Sequence, residues 1–379
     1  MDNLTHSLVG LSLAKAGLER VSPYAATVCL LSANAADADF VSLFFGDRWT
    51  LLHHHRGITH SIVGTIAIGF LVPLLVAGVE RIATRIRGQS PTIRVRGLII
   101  ASFIAAATHP LMDWMNNYGV RPLLPWSNKW FYGDLVYIID PYIWLILGGV
   151  TFLLTSDEKW KLAIWSVLGF VVTALIGLAA WRSGSENAVR FAFLVWIFAL
   201  VCLIRLRAFG TIRRFGRVPA LAALAVLLGY CGALAIAHRA AFANARSRAD
   251  SLASSKGERL IRVAAMPTTA NPFVWQSVAE TDRAMYRFRS GPIDDSTSVT
   301  TAFNRYEKPT GPTADLVSSA ERDRRAREFL LFARFPIAEP LATACVGQTL
   351  VQFADIRYTE PGATRGTFAV NIPVDCPAR

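Results

Sequence analysis

Apolar residues occur in long blocks over residues 1–238, separated by short segments rich in arginine, glycine, proline or acidic residues. A helix needs roughly 17–25 predominantly apolar residues to cross a bilayer. Six blocks have about this length, so the pattern predicts six transmembrane helices. These are Ser61–Val79, Gly97–Met115, Tyr137–Leu154, Leu162–Trp181, Phe191–Leu206 and Pro219–Ala237.

Two further apolar stretches precede the first of these helices. Leucines at helical spacing in residues 1–22, with Asn3 or Thr5 as the N-cap, predict a membrane-associated helix. The next stretch, Pro23–Phe45, is long enough to span the membrane, but it carries two aspartates near its middle. The sequence therefore leaves open whether it crosses.

The pattern changes from Arg239 onward, where long apolar blocks stop and charges of both signs mix with short alternating stretches. Such alternation is typical of strands with one buried face. We expect a membrane domain at residues 1–238 and a small α+β domain at residues 239–379. The strands are predicted at Asn271–Val278, Ala284–Arg289, Thr349–Tyr358 and Gly366–Ile372, with a helix at Ala320–Phe332.

Composition and charge support a membrane protein. Hydrophobic residues make up 53% of the chain and charged residues 17%, and the net charge is +12. The basic excess is concentrated in two short loops, 80–96 and 205–217, which carry five arginines each. Because arginine-rich loops stay on the cytoplasmic side, both loops are expected inside and the C-terminal domain outside. This distribution argues against a nucleic-acid partner.

The five cysteines divide by location. Cys29, Cys202 and Cys231 lie in apolar segments and are expected to pack there. Cys345 and Cys376 both lie in the C-terminal domain. If that domain faces an oxidising compartment, these two thiols are free to form a disulfide.

Candidate chemistry is concentrated near the N-terminus, where six of the seven histidines precede residue 110. Aspartates accompany them, and imidazole mixed with carboxylate is the ligand set of hydrolytic Zn, Mn or Fe sites. For the run His53–His55 alone, a solvated histidine-rich loop is an equally good interpretation. The six histidines are His6, His53, His54, His55, His60 and His109, and the aspartates are Asp37, Asp39 and Asp113.

Spacing indicates how these side chains could meet. His109 and Asp113 are separated by four residues, which places them on one helical face, either as two ligands of one ion or with the carboxylate orienting the ring. Asp37 and Asp39 share one side only if the chain there is extended. Their alternative role is to cap a helix. A histidine–aspartate pair that only stabilises a helix bundle is the alternative for His109.

These residues resemble the YdjM-type family of membrane-bound metal-dependent hydrolases, and the resemblance covers residues 1–145. Ala36 departs from the pattern, since the family usually has proline before its first aspartate, which puts the local turn in doubt. The matching motifs are Thr5-His6, Asp37-x-Asp39, His55-Arg56-Gly57-Ile58-Thr59-His60-Ser61, His109-Pro110-Leu111-Met112-Asp113, Asn117–Pro122, Phe131–Asp134 and Asp140-Pro141.

The resemblance implies an inner-membrane hydrolase with one or more divalent metals, Zn first, with Mn or Fe as alternatives. Asp134 or Asp140 is the expected base or outer-sphere group, and Arg56 or Arg121 would hold an anionic group of the substrate. The order of the ligands is also similar to that of zinc-dependent phospholipases C, which favours a phosphoester or lipid-linked substrate at the outer leaflet. The implied ligands are His6, Asp37, Asp39, His55, His60, His109 and Asp113.

Two other classes of function fit parts of the pattern. A metal transporter or a metal-binding scaffold could use the same ligands, but a transporter would place carboxylates along several helices. Ser61–Val79 and Leu162–Trp181 have none. A haem held by two histidines would need facing imidazoles in mid-helix, and the accompanying aspartates argue against it.

Overall fold

The computed structural model describes residues 1–182, 187–210, 212–293, 303–342, 347–362 and 368–376. The chain divides into two compact units. The first comprises Met1–Asp39, Arg56–Ala235 and Pro267–Pro272, and the second comprises Phe40–His55, Ile236–Met266 and Phe273–Arg379. The predicted domain boundary after residue 238 stays a prediction.

Helices dominate the first unit, and strands occur in the second. The helices are α1 (Asn3–Lys15), α2 (Ala25–Asn34), α3 (Arg48–His54), α4 (Ile62–Ile86), α5 (Val95–Trp114), α6 (Pro141–Thr155), α7 (Lys159–Arg182), α8 (Asn187–Phe209), α9 (Val218–Lys256), α10 (Pro312–Ala320) and α11 (Arg324–Phe332). The strands are β1 (Leu260–Thr268), β2 (Asn271–Thr281), β3 (Ala284–Ser290), β4 (Asn304–Glu307), β5 (Pro336–Pro340), β6 (Gln348–Asp355) and β7 (Ala369–Asp375).

Six helical segments among the described residues are long and apolar enough to cross a membrane. Five of them correspond to predicted helices: α4, α5, α7, α8 and α9. The sixth, Ala25–Phe44, joins α2 to a 3₁₀ segment, Ala35–Phe44. The predicted Tyr137–Leu154 helix is the shorter α6, because Asp140 caps it and Pro141 occupies its first turn. A helical membrane protein with a small C-terminal α+β region is thereby confirmed.

Close packing of small side chains holds α1, α2 and α5 together. Cys29 and Ala33 of α2 are buried against Ala101 and Ala105 of α5. A side chain at Gly10 of α1 would lie 2.7 Å from the carbonyl oxygen of Cys29, so only glycine allows this approach. In a membrane, small residues of this kind let helices pack closely by van der Waals contact.

The N-terminal helix begins one position earlier than predicted. Asp2 is its N-cap, in extended conformation, and its carboxylate accepts a hydrogen bond from the Thr5 backbone N–H at 3.0 Å. The expected caps, Asn3 and Thr5, lie inside the helix, so that expectation was wrong. Trp144 of α6 donates from Nε1 to Thr5 Oγ1 at 3.0 Å, which fixes α1 against α6.

The second unit contains two antiparallel sheets, in the strand orders β1-β2-β3-β4 and β5-β6-β7. Strands β2, β3, β6 and β7 overlap the four predicted strands, although residues 366–367 of the last prediction lie outside the described residues, and β1, β4 and β5 are additional. Helix α3, which belongs to residues 40–55, packs in this unit: Trp49 lies in a core with Phe329 and Val351. Sequence analysis did not predict that this segment joins the C-terminal residues.

The cysteines agree in part with their predicted roles. Cys29, Cys202 and Cys231 are free, and Cys29 and Cys231 are buried in the first unit. Cys376 is disulfide-bonded. Its predicted partner, Cys345, lies outside the described residues.

Candidate metal centre

Four of the predicted ligands converge in the first unit. One ligand atom from each of Asp37, His60, His109 and Asp113 lies within 4.8 Å of the others, and all four residues are buried. The 3₁₀ segment supplies Asp37, a short 3₁₀ turn at Ile58–His60 supplies His60, and α5 supplies the other two. These residues are called the four-residue cluster below. A buried group of this composition could hold a metal ion.

Ring nitrogens and carboxylate oxygens face one another across this cluster. The Nε2 atoms of His60 and His109 are 3.1 Å apart. Asp37 Oδ1 lies 3.4 Å from His60 Nε2 and 3.5 Å from His109 Nε2. Asp113 Oδ2 lies 3.3 Å and 3.5 Å from the same two nitrogens. Two imidazoles and two carboxylates thus point their ligand atoms into one small volume.

The backbone fixes the orientation of His109. Its Nδ1 lies 2.7 Å from the carbonyl oxygen of Ala33 and donates to it, because a carbonyl can only accept. A neutral ring then presents an unprotonated Nε2 to the cluster, as a metal ligand requires. Asp113 follows one turn later on the same face of α5, as the spacing predicts.

The opposite edge of the His60 ring faces polar groups outside the cluster. Its Nδ1 lies 3.0 Å from Thr59 Oγ1 and 3.4 Å from Asp39 Oδ2. A 3₁₀ helix turns 120° per residue, so Asp37 and Asp39 point in different directions rather than to one side. The carboxylate of Asp37 therefore contacts Nε2 of His60, and the carboxylate of Asp39 contacts Nδ1 of the same ring. Asp39 is placed to orient His60, and its predicted role as a ligand stays a prediction.

His6 lies beside the cluster and offers a further nitrogen. Its ring stacks on His109 at 3.7 Å, with the two planes 12° apart. It is fully buried, its Nε2 lies 3.5 Å from Asp113 Oδ1, and neither ring nitrogen makes a hydrogen bond within the described part of the chain. A buried imidazole without hydrogen bonds is costly unless something else binds it. The donor set and this orphaned ring both fit a divalent metal.

Comparison with known proteins places this site in a family. The family model described as "YdjM inner membrane protein" matches residues 1–204, which include every residue of the cluster. The chain belongs to the YdjM inner membrane protein family. With its apolar helices, this makes it a multi-pass membrane protein.

A curated relative of this YdjM family chain is the "Uncharacterized protein YfhP" of Bacillus subtilis (strain 168). The two are 22% identical over 216 residues, which cover 54% of each chain. The chain therefore spans about half the length of the relative that it matches. No solved structure matches it.

Arg56 of the YdjM motif takes a position that sequence analysis did not predict. Its backbone has a positive φ of 55° and its side chain is buried. The guanidinium lies 3.0 Å from Asp113 Oδ1, donates to Asn116 Oδ1 at 3.0 Å and to the Gly119 carbonyl at 3.1 Å, and stacks on Tyr118. The ion pair with Arg56 and a second one with the N-terminal amino group of Met1 balance the charge of Asp113, and the contacts to Asn116, Gly119 and Tyr118 fix the guanidinium in place. Binding of a substrate anion by Arg56 stays a prediction.

The other predicted catalytic residues lie outside the four-residue cluster. Arg121 is buried, with its guanidinium 4.8 Å from the centre of the Trp130 ring. Asp134 is buried and has a positive φ of 54°. Asp140 accepts from the backbone of α6 through Oδ1 and from the Tyr230 hydroxyl through Oδ2, at 2.9 Å. Their catalytic roles stay predictions, and Asp140 has a structural role that the sequence did not reveal.

The histidine run His53–His55 falls in the second unit. His53 Nδ1 lies 2.6 Å from Glu328 Oε2 of α11, and His54 is exposed. Both positions agree with the interpretation of this run as a surface segment. His55, the last residue of the segment, packs its ring 4.7 Å from that of Phe40. Its assignment as a metal ligand stays a prediction.

Proposed function

We propose that this chain is a membrane-bound metal-dependent hydrolase that cleaves phosphoesters. The observation that carries the proposal is the approach of His60 Nε2 and His109 Nε2 to 3.1 Å between two buried carboxylates. Hydrolytic sites of Zn, Mn and Fe use this combination of imidazole and carboxylate. In a purely structural cluster, hydrogen bonds would satisfy the ring nitrogens of the histidines. Neither ring nitrogen of His6 has a hydrogen-bond partner among the described residues.

The ligands would be the four-residue cluster, with His6 as a further donor. Zn suits three imidazoles and carboxylate oxygens, and Mn or Fe would accept the same set. A divalent metal bound here would supply Lewis acidity and a nucleophile at neutral pH. Asp39 and the Ala33 carbonyl hold the two facing rings, and Arg56 holds Asp113.

In the proposed hydrolysis, the oxygen of water forms a new bond to phosphorus. The bond from phosphorus to the leaving alcohol breaks, and that alcohol leaves with a proton. Asp134 and Asp140 are the candidate bases, and both carboxylate oxygens of Asp140 accept hydrogen bonds, from the Tyr142 backbone and from the Tyr230 hydroxyl. Arg121 would hold a non-bridging oxygen of the phosphoester.

We further propose that the site and the C-terminal domain face outside the cytoplasm. The arginines of loops 80–96 and 205–217 support this orientation. A periplasmic reporter fused after residue 379 should be active and a cytoplasmic one inactive. The reverse pattern would contradict the orientation while leaving the site itself untouched.

The test of function uses purified full-length protein in detergent. We expect bound metal by elemental analysis and hydrolysis of bis(4-nitrophenyl) phosphate. His109→Ala should lose both, while His54→Ala, an exposed histidine outside the cluster, should keep both. Metal without hydrolysis would favour the transporter or scaffold instead. Equal metal content in His109→Ala and the parent protein would overturn the assigned site.

A further inference from the structure

An apolar groove of about 440 Å³ lies beside the four-residue cluster. It runs between the start of α4 and the end of α5, and His60 forms part of its wall. His60 is the residue that the groove lining and the four-residue cluster share. Its other lining residues are Ile62, Thr65, Ile66, Ala107, Pro110, Leu111, Trp114, Val120, Pro122 and Phe131.

The groove is open on the side of the membrane-spanning helices. Ile62 and Ile66 of α4 are 54% and 48% exposed, and Leu111 of α5 is 51% exposed. Both helices are long and apolar enough to cross the membrane. Side chains exposed on such helices face lipid, so hydrocarbon is the solvent available at this opening.

Two polar side chains of the lining, Thr65 and His60, already contact other polar groups of the protein. The Thr65 hydroxyl donates to the Ser61 carbonyl at 2.9 Å. His60 directs Nε2 to the cluster and Nδ1 to Thr59 and Asp39. A polar group placed against the aliphatic side chains of this lining would lose its hydrogen bonds to water with little replacement. The lining selects a hydrocarbon chain.

We infer that the groove holds one hydrocarbon chain of a lipid, whose phosphoester then lies at the four-residue cluster. The inference rests on the proposed function and names its substrate class, a lipid phosphoester with an acyl or isoprenoid chain. The volume is in the range of roughly 300–1,000 Å³ that small-molecule sites occupy. The chain enters laterally from the bilayer, and its polar end reaches the buried carboxylates and imidazoles past His60.

A photoreactive lipid tests the groove without depending on catalysis. The probe is a dialkyl-ether phosphatidic acid with a diazirine in one chain, mixed into phosphatidylcholine vesicles that contain the full-length protein. After irradiation, mass spectrometry should find the label in peptides that contain Ile62–Ile66 or Ala107–Trp114. Filling the groove by Ala107→Phe should reduce this labelling to background, since the added ring occupies the volume that the chain would take.

Matched variants separate the groove from general lipid contact. Ala67→Phe adds the same ring to an exposed alanine of α4 outside the groove lining, and should leave labelling unchanged. If Ala107→Phe fails to accumulate in the membrane, Ile66→Trp narrows the groove from its lipid-facing side and takes its place. Equal labelling of the groove-filling variant and the parent protein would overturn the inference.

A second apolar cavity supplies a competing location for the label. It has a volume of about 630 Å³, is lined by residues of α1, α6, α7 and α8 that include Trp165 and Arg207, and contains none of the cluster. Label found in those peptides rather than beside His60 would also refute the groove. Hydrolysis of soluble bis(4-nitrophenyl) phosphate, measured in parallel, distinguishes failure of the proposed function from failure of the inferred substrate class. Groove labelling without hydrolysis refutes the proposed function alone, and hydrolysis without groove labelling refutes the substrate class alone.

Discussion

The different positions of Asp37 and Asp39 around His60 predict different losses of metal on substitution. Asp37 Oδ1 lies 3.4 Å from His60 Nε2 and belongs to the cluster. Asp39 Oδ2 lies 3.4 Å from Nδ1 and accepts from the Arg56 backbone and the Thr59 hydroxyl at 3.1 Å and 3.2 Å. Asp37→Asn removes an anionic ligand, whereas Asp39→Asn loosens the orientation of a ring.

The expected magnitudes follow from these roles. Removing a group that orients a ligating histidine typically weakens metal binding by roughly 10–100-fold. This range corresponds to about 1.4–2.7 kcal/mol of binding free energy for Asp39→Asn. The Asp37 variant should lose more, since one of the four cluster residues then no longer supplies a charged oxygen.

Competition with a chromophoric zinc chelator measures both affinities on purified protein. Asp250→Asn is the matched control, because Asp250 is an exposed carboxylate of α9, and its zinc affinity should equal that of the parent. If Asp39→Asn loses zinc as completely as Asp37→Asn, Asp39 is a ligand and the orienting role is wrong. An unchanged affinity would refute both roles.

Three further outcomes are expected in the second unit. Trp49→Ala should destabilise this unit by about 3–5 kcal/mol, as core tryptophan truncations do, measured by pulse proteolysis in urea, while truncation of an exposed tryptophan should not. Alkylation should label Cys376 only after reduction; labelling without reductant would contradict its disulfide. Burial raises the pKa of Glu280, but hydrogen bonds and charges from Lys308 and Arg262 outweigh burial and hold it below its ordinary value. The stability it contributes should therefore be present above about pH 4.3 and lost as pH falls further, and Glu280→Gln should flatten that acid limb of the unfolding profile.

Local periodicity accounts for the parts of the fold that sequence analysis predicted. Membrane-length apolar blocks identified α4, α5, α7, α8 and α9, and alternating stretches identified several strands. Both signals depend only on residues close together in the chain. The ends of an element also depend on capping residues. Helix α6 begins at Pro141, after its N-cap Asp140, and not at Tyr137 as the apolar block predicted.

The candidate site was predictable where one regular element supplies two groups. His109 and Asp113 are one turn apart on α5, so their spacing fixes a shared face. The separate directions of Asp37 and Asp39 could not be predicted, because the sequence left open whether the chain there is extended or helical, and the two aspartates share one side only in the extended form. The pairing of Arg56 with Asp113 joins positions distant in sequence, and only the tertiary structure reveals it.

Helix α3 lies in sequence between Asp39 and Arg56, yet its core partners are near the other end of the chain. His53 and Glu328 are 275 residues apart, a separation that takes about 14–55 s to synthesise at 5–20 residues per second. During that interval the loop between the Asp37 and His60 motifs has no folded partner in the second unit. Completion of the polypeptide therefore sets the earliest time at which this loop becomes ordered. Synthesis arrested before α11 would leave both ligand motifs translated but joined by an unanchored segment.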